Sequence, residues 1–324
     1  MNIIFDNLPR HYCVPGLIVF CSMLLSACNS GGQSAAVSRA APVDYGVLVM
    51  AHGGGEEWNA SVEQAITALH REYPVSIAFG MADAGSMERA VRQLESEGVA
   101  HVGVVRMFIS GESWYERTEQ ILGIEEGAPS KQQAQQQAAG QSAMRMPMGF
   151  WQIDSDLAFH MSPEGLADAE EMDRVLLDRI SALSRQPADE VVVVLAHGPG
   201  DDAENQRWID KISQRTQLAR DELGVHAIRT FTLREDWQDK RELAEQQIRD
   251  YIATANAAGR QALVIPYRVQ GFGPYHEVLA GLDYRADETG LVPHDNVIQW
   301  IQNQADTLRA EATDHAISLL ATSP

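Results

Sequence analysis

The feature that most constrains this chain is a short pattern that occurs twice. An apolar segment of strand type ends in Ala-His-Gly, first as VLVMAHGGG in residues 47–55 and again as VVVVLAHGPG in residues 191–200. A helix-like, acidic segment follows each copy. Buried strands that alternate with helices are typical of βαβ units and a parallel sheet. The repeated order therefore predicts a tandem α/β protein in which each unit carries a histidine at the end of its first strand.

The pattern of strands and helices continues through both halves of the chain. Strands are predicted at 45–51, 75–81, 101–109, 191–196, 226–233 and 262–269, with helices at 61–72, 86–97, 205–223 and 240–258. The segments 163–183 and 295–316 are interpreted as closing helices of the first and second unit. A Gln/Ala-rich tract at 128–146 is predicted to be a mobile surface insertion in the first unit.

The N-terminal segment indicates export. Residues 13–27 are apolar but too short for a comfortable membrane span, and they end in Leu-Ser-Ala before Cys28. This resembles a bacterial lipobox, in which the cysteine is lipidated and becomes the new N-terminus. All three cysteines lie in this leader, so the mature domain has no thiolate metal ligand. The alternative is a buried hydrophobic helix.

These signals divide the chain into four parts. We predict a signal peptide at 1–28, a flexible tether at 29–42, an N-terminal unit at 43–185 and a C-terminal unit at 186–324. Lipidation of Cys28 would anchor the protein in the cell envelope on the periplasmic face. Asn29 after the cysteine favours the outer membrane. The net charge of −20 argues against nucleic acid as a partner.

The histidines are predicted to meet at one edge of the sheet. Right-handed crossovers place all strand-to-helix turns at the carboxyl edge, where α/β proteins bind ligands. His197, Glu235 and His276 follow three strands of the second unit, and Asp236 reaches the same edge. Two imidazoles and a carboxylate could hold a divalent metal with open positions, or accept protons. A hydrogen-bonded structural histidine remains the alternative for each.

The same segments resemble the class II chelatases of tetrapyrrole biosynthesis. The resemblance rests on the two Ala-His-Gly turns and on FTLRED, GFGPYHEVL and LVPHDNVIQWI, within residues 45–316. It implies two four-stranded parallel α/β units that face each other across a cleft. It also implies catalytic roles for His197, His276 and Glu235, with His197 and His276 as metal ligands.

The first half departs from the family pattern. His52 is present and is predicted to be a secondary metal ligand and part of the substrate site. Met81 occupies the place of the acid, and Glu112 stands where the second histidine is expected. We therefore predict that Glu112 contacts substrate, together with Tyr275 and Phe272. The rings of Trp114, Tyr115, Phe272 and Tyr275 could stack on a flat macrocycle. Packing at the rim is the alternative for these aromatic residues.

Three functions remain open at this point. The first is insertion of Co²⁺ or Fe²⁺, with Ni²⁺ or Zn²⁺ as further possibilities, into a sirohydrochlorin-type tetrapyrrole by a monomer or homodimer. An envelope location conflicts with this, because the precursors of that pathway are made in the cytoplasm. The second is a non-catalytic lipoprotein that binds metal or a haem-type tetrapyrrole. The third, a His/carboxylate hydrolase, ranks last because the chain lacks a Gly-x-Ser-x-Gly elbow.

Overall fold

The computed structural model describes residues 44–139 and 148–322, and it contains two similar α/β units. The strands are β1 (Tyr45–Ala51), β2 (Val75–Phe79), β3 (His101–Met107), β4 (Ala158–Met161), β5 (Glu190–Ala196), β6 (Ala227–Thr232), β7 (Gln261–Pro266) and β8 (Tyr284–Ala286). The helices of the first unit are α1 (Glu56–Ala65), α2 (Ala84–Ser96), α3 (Tyr115–Leu122), α4 (Lys131–Ala139) and α5 (Glu171–Leu183). Those of the second are α6 (Asp202–Arg215), α7 (Gln217–Leu223), α8 (Gln238–Ala257), α9 (Tyr275–Val278) and α10 (Asp295–Thr322).

Both sheets have the same topology. The strand orders are β2-β1-β3-β4 and β6-β5-β7-β8, and every neighbouring pair is parallel. The first strand of each unit, β1 or β5, lies between two other strands. The second strand of the unit pairs on one side of it and the third strand on the other. A crevice opens at the carboxyl ends of the strands where the strand order changes direction. This is where open α/β sheets bind ligands. The predicted fold class, two four-stranded parallel sheets flanked by helices, is confirmed.

The central strands are buried on both faces, which explains their continuous apolar sequence. All seven residues of β1 are buried, and alternate side chains enter different cores because a strand has a period of two. Val47 and Val49 face a core that contains residues of both units, whereas Leu48 and Met50 face α2. In the second unit, β5 makes the same division between the shared core and a core beside α8.

The two closing helices are exchanged between the units. Helix α5 packs on α6, α7 and β7 of the second unit, and α10 packs on β1, β3 and β4 of the first. Each exchange is secured by a tyrosine: Tyr267 donates to the carbonyl of Leu166 at 3.0 Å, and Tyr45 to that of Ala305 at 2.9 Å. The expectation that each closing helix completes its own unit is wrong, because apolar periodicity does not name the sheet that a helix will cover.

Several local features also differ from the sequence expectations. The short strands β4 and β8 were not located by pattern, and α1 begins before the predicted helix. Part of the Gln/Ala-rich tract forms helix α4, whose Lys131 pairs with Glu88 at 2.6 Å; residues 140–147 lie outside the described part of the chain. The leader, the tether and Cys28 also lie outside it. No helix among the described residues is long and apolar enough to cross a membrane.

Candidate functional site: a histidine- and tryptophan-lined cleft

A cleft of about 620 Å³ opens at the carboxyl ends of the strands and is lined by both units. The residues that give it polar or aromatic chemistry come from the turns and helices after these strands. They include His52, Trp58, Glu112, Trp114, His197, Asp201, Glu204, Trp208, Asp236, Trp237 and Arg268. His52 and His197, one from each unit, therefore line one shared site, as the repeated motif predicted.

The two histidine turns have the same geometry. The glycine after each histidine is left-handed, with φ of 81° at Gly53 and 78° at Gly198, a conformation that favours glycine. A Cβ atom at Gly198 would also lie 2.5 Å from Thr232 Cβ. The turn bends the glycine carbonyl back, so Nδ1 lies 2.7 Å from the Gly53 oxygen in His52 and 2.8 Å from the Gly198 oxygen in His197.

This hydrogen bond determines which ring nitrogen is available. A carbonyl oxygen accepts only, so Nδ1 must carry the proton in both His52 and His197. The Nε2 atom of each neutral ring then has a free lone pair. Fixing one nitrogen by a backbone hydrogen bond is how metal-binding and proton-transferring histidines are oriented.

Asp236 is the acidic partner of His197. Its Oδ2 lies 3.1 Å from His197 Nε2, and the side chains are 71% and 33% exposed, respectively. Because Nδ1 already carries a proton, this contact is attractive only when a further proton or a cation lies between Nε2 and Oδ2. The pair can therefore hold and release one positive charge at the wall of the cleft. The sequence brought Asp236 to this edge but favoured its neighbour Glu235.

Arg234 fixes the position of this pair. It adopts a left-handed conformation with φ of 58°, and its backbone N–H donates to the His197 carbonyl at 2.7 Å. Its buried guanidinium donates to the carbonyl oxygens of Pro199 and Gly200 in the histidine turn. The loop that carries Asp236 is thus joined directly to the turn that carries His197. Sequence patterning did not indicate this role, since nothing distinguishes Arg234 from a surface arginine.

Four tryptophans line the cleft that holds the two histidines: Trp58, Trp114, Trp208 and Trp237. The His52 and Trp58 ring centroids are 6.4 Å apart, and those of His197 and Trp237 are 6.3 Å apart and nearly perpendicular at 88°. Trp208 is buried, whereas Trp114 and Trp237 remain 37% and 39% exposed at the cleft. Of the four, only Trp114 was anticipated as a stacking residue. Trp58 and Trp208 stand inside helices, where core packing is the ordinary role.

Glu112 lies in the cleft lining but is bound to an arginine of the other unit. Arg207 donates from Nε to Oε1 at 2.9 Å and from its terminal nitrogen to Oε2 at 2.5 Å, which is the bidentate geometry that suits a carboxylate. The hydrogen bonds from Arg207 lower the pKa of Glu112. Glu112 therefore joins the two walls of the cleft, and a contact with substrate requires this ion pair to open.

The structure does not bring His276 into the cleft. Its ring lies against Phe272 with centroids 4.6 Å apart, and its nitrogens face Tyr284 and Glu288 at 3.3 Å each. Phe272 and Tyr275 are buried in the core beside α8 and are absent from the cleft lining. We predicted from the sequence that His276, Phe272 and Tyr275 face the ligand, and the structure differs. The Gly-Phe-Gly-Pro turn leads away from the cleft into α9.

Glu235 is likewise occupied elsewhere. It accepts a hydrogen bond from Arg268 at 2.5 Å. Burial lowers the pKa of Arg268, but the neighbouring Tyr275 and Glu235 outweigh this effect, so the pKa of Arg268 is raised. The predicted group of His197, Glu235 and His276 is not formed. Among the described residues, no three His, Cys, Asp or Glu side chains are grouped closely enough to hold a metal.

Several solved structures share this fold. SirB from Bacillus subtilis with Fe³⁺ aligns with a TM-score of 0.56 at 13% identity, over 83% of this chain and 97% of SirB. The sirohydrochlorin chelatase SirB from the subspecies spizizenii in complex with cobalt has a TM-score of 0.53 at 11% identity, with 83% and 96% covered. This chain has the chelatase fold.

A third solved structure extends the likeness. DR2241 from Deinococcus radiodurans, described as a multi-domain protein with structural similarity to chelatases, has a TM-score of 0.51 at 14% identity; 82% of this chain aligns with 55% of it. No protein-family model and no curated protein matches the sequence. The relation to the chelatases is therefore carried by tertiary structure.

Proposed function

We propose that this protein is a chelatase that inserts a divalent metal ion into a tetrapyrrole in the cleft between its two units. Three features support the proposal: the fold, the two histidines on one cleft, and the aromatic side chains around them. Fe³⁺ and cobalt accompany the SirB structures, so iron and cobalt are the first metals to test, followed by Ni²⁺ and Zn²⁺. The metal is a substrate in this reaction.

The observation that carries the proposal is the arrangement of His197, Asp236 and His52. Metal insertion forms metal–nitrogen bonds and releases both inner N–H protons of the macrocycle. The Nε2–Oδ2 pair of His197 and Asp236 can accept a proton there, and the exposed Asp236 can pass it to water. His52 Nε2 is free to bind the incoming metal.

The test is metal-dependent spectral conversion of a porphyrin by the purified protein and its variants. We expect His197→Ala to lower the rate by about 10²-fold or more, because a positioned base contributes that much. Asp236→Asn should lower the rate but leave metal binding within about tenfold, since it retains shape and loses the proton acceptor. His52→Ala should weaken metal binding.

His276→Ala is the matched control, because it removes an imidazole of the same unit that lies outside the cleft lining. It should leave both rate and metal affinity near wild type. If His276→Ala is as damaging as His197→Ala, the working site is not the one described here.

A second candidate function is stoichiometric binding of metal or tetrapyrrole without turnover. It is favoured by the loss of two expected groups from the cleft, since Glu235 is paired with Arg268 and His276 faces Glu288. A single absorbance change that stops at one equivalent of porphyrin per protein would support binding. Continued conversion with excess porphyrin would support catalysis.

The proposed location is the periplasmic face of the cell envelope, with a lipid on Cys28. The support is the apolar leader that ends in Leu-Ser-Ala-Cys and the absence of cysteines from the rest of the sequence. At this location a tetrapyrrole must be supplied from outside the cytoplasm or exported to it.

A further inference from the structure

The cleft lining is acidic. It contains four carboxylates and one guanidinium: Glu112, Asp201, Glu204, Asp236 and Arg268. The guanidinium does not balance them, because Arg268 is already paired with Glu235 at 2.5 Å. Glu112 is balanced by Arg207. Three carboxylates are left to face the ligand.

None of these three carboxylates has an ion pair with a lysine or arginine in the described part of the chain. Asp201 accepts a hydrogen bond from the backbone N–H of Glu204 at 2.8 Å and so caps α6. The Glu204 carboxylate meets the indole N–H of Trp208 at 3.3 Å, and burial raises its pKa. Among the described residues, the ion-pair partner of Asp236 is the imidazole ring of His197. These carboxylates repel an anion, in a chain whose net charge is already −20.

Two exposed tryptophans line the cleft, Trp114 from the first unit and Trp237 from the second. Trp114 is a bulky residue in a left-handed conformation, with φ of 59°, which costs energy and persists only when its surroundings enforce it. The buried Arg106 enforces it by donating to the carbonyls of Ser113 at 2.9 Å and Gly111 at 2.7 Å. Thr118 adds two hydrogen bonds to the Trp114 carbonyl. The exposed ring of Trp237 faces the cleft from the other unit.

Together these features define the ligand by charge and shape. Tryptophan faces favour flat aromatic rings and cationic groups, whereas unpaired carboxylates disfavour a ring surrounded by negative charge. We propose that the cleft takes a tetrapyrrole with few peripheral carboxylates and that Asp201, Glu204 and Asp236 exclude polycarboxylate macrocycles such as sirohydrochlorin. This inference rests on the proposed chelatase function and narrows its substrate class.

The test is a set of absorbance and tryptophan-fluorescence titrations of the full protein with two porphyrins. One probe is a dicarboxylate porphyrin and the other an octacarboxylate porphyrin with the same ring. We expect the octacarboxylate to bind at least about tenfold more weakly at low ionic strength. The difference between the affinities for the two porphyrins should become smaller as salt is added, since salt screens charges that are exposed to solvent.

Two variants separate local charge from net charge. Asp201→Asn combined with Glu204→Gln should bring the two affinities together, and Asn still caps α6. Asp221→Asn with Glu222→Gln makes the same change in net charge on α7, outside the cleft lining, and should leave the difference between the affinities unchanged. Trp114→Gly removes the ring and the strain, and should weaken both probes alike.

The outcomes distinguish this inference from the function on which it rests. Equal or tighter binding of the octacarboxylate by wild-type protein would overturn the charge selection and leave the chelatase proposal standing. An equal effect of the α7 variant would also overturn it. If neither porphyrin binds, the tetrapyrrole function itself fails, and the substrate class fails with it.

Discussion

At the scale of single residues, the histidines of this chain occupy two different kinds of environment. His52 and His197 lie on glycine turns at the cleft, whereas His101 and His160 begin or lie in neighbouring strands of the first sheet. There, His101 Nδ1 and His160 Nε2 are 3.1 Å apart, and the rings stack at 5.4 Å, with His315 of α10 at 6.0 Å from His160. Burial lowers the pKa of both paired rings, with His315 contributing to each.

This pair makes stability depend on pH. A histidine whose pKa is lowered by folding binds fewer protons in the folded state. Its contribution to stability is therefore fully present above the unfolded pKa of about 6.5 and is lost as pH falls from there through the lower pKa of the folded state. We expect the Tm to be lower at about pH 5.5 than at about pH 7.5, and His160→Phe to reduce this difference by about 2 °C. Thermal unfolding followed by circular dichroism measures it.

The exposed His70 provides the control for that experiment. His70→Phe should leave the pH dependence as it is in the wild type. An identical drop in Tm for wild type and His160→Phe would show that the stacked pair does not couple protonation to folding.

At the scale of elements, the exchanged helices decide which parts of the chain can fold alone. Helix α5 buries five apolar side chains in a core that also contains α10 and strands of both sheets: Met172, Val175, Leu176, Leu177 and Ile180. At about 2 kcal/mol for each side chain, their burial contributes a gross hydrophobic free energy of about 10 kcal/mol, from which the entropy cost of ordering the helix is still to be subtracted. Neither half alone retains a sheet that is fully covered on both faces, because α5 and α10 are exchanged.

We therefore expect residues 43–185 and 186–324, produced separately, to lack cooperative unfolding. Each half would lose the helix that covers its own sheet and expose the apolar face of the helix that it carries. Produced together, the two halves should form a complex that unfolds cooperatively, and circular dichroism melts of separate and mixed halves would measure this. If either half alone melts cooperatively, the exchange is not essential to folding.

At the scale of the whole molecule, the proposed envelope location and the acidic cleft bear on the same question. A protein outside the cytoplasm is separated from the pathway that makes sirohydrochlorin. A cleft that disfavours polycarboxylate rings is consistent with that separation. The proposed anchor therefore bears on the choice of substrate, as the charge of the cleft does.

We expect Cys28 to be acylated and the protein to fractionate with membranes. Cys28→Ser should leave an uncleaved or mislocalised form, because the residue that carries the lipid is lost. Cys21→Ser, a change of the same kind inside the leader, should have no such effect. Mass spectrometry of the mature N-terminus and membrane fractionation measure the result; unmodified full-length protein in the cytosol would contradict it.

Much of the architecture could be predicted from local patterns. Apolar runs such as that of β1 located the buried strands because a strand covered on both faces must be apolar throughout. The repeated Ala-His-Gly located His52 and His197, since a glycine directly after an apolar strand indicates a tight turn, and both glycines have a positive φ. The short strands β4 and β8 escaped notice because three or four residues carry too little pattern.

The composition of the site was decided by tertiary structure. Sequence places Glu235 and Asp236 at the same edge, but only the left-handed backbone of Arg234 directs Asp236 to His197 and leaves Glu235 to Arg268. His276 lies outside the cleft because the turn before it leads into α9. Helix α5 packs on the second unit and α10 on the first, a choice that was decided by tertiary packing. Side-chain direction and the choice of packing partner depend on contacts between distant segments, and these contacts exist only in the folded chain.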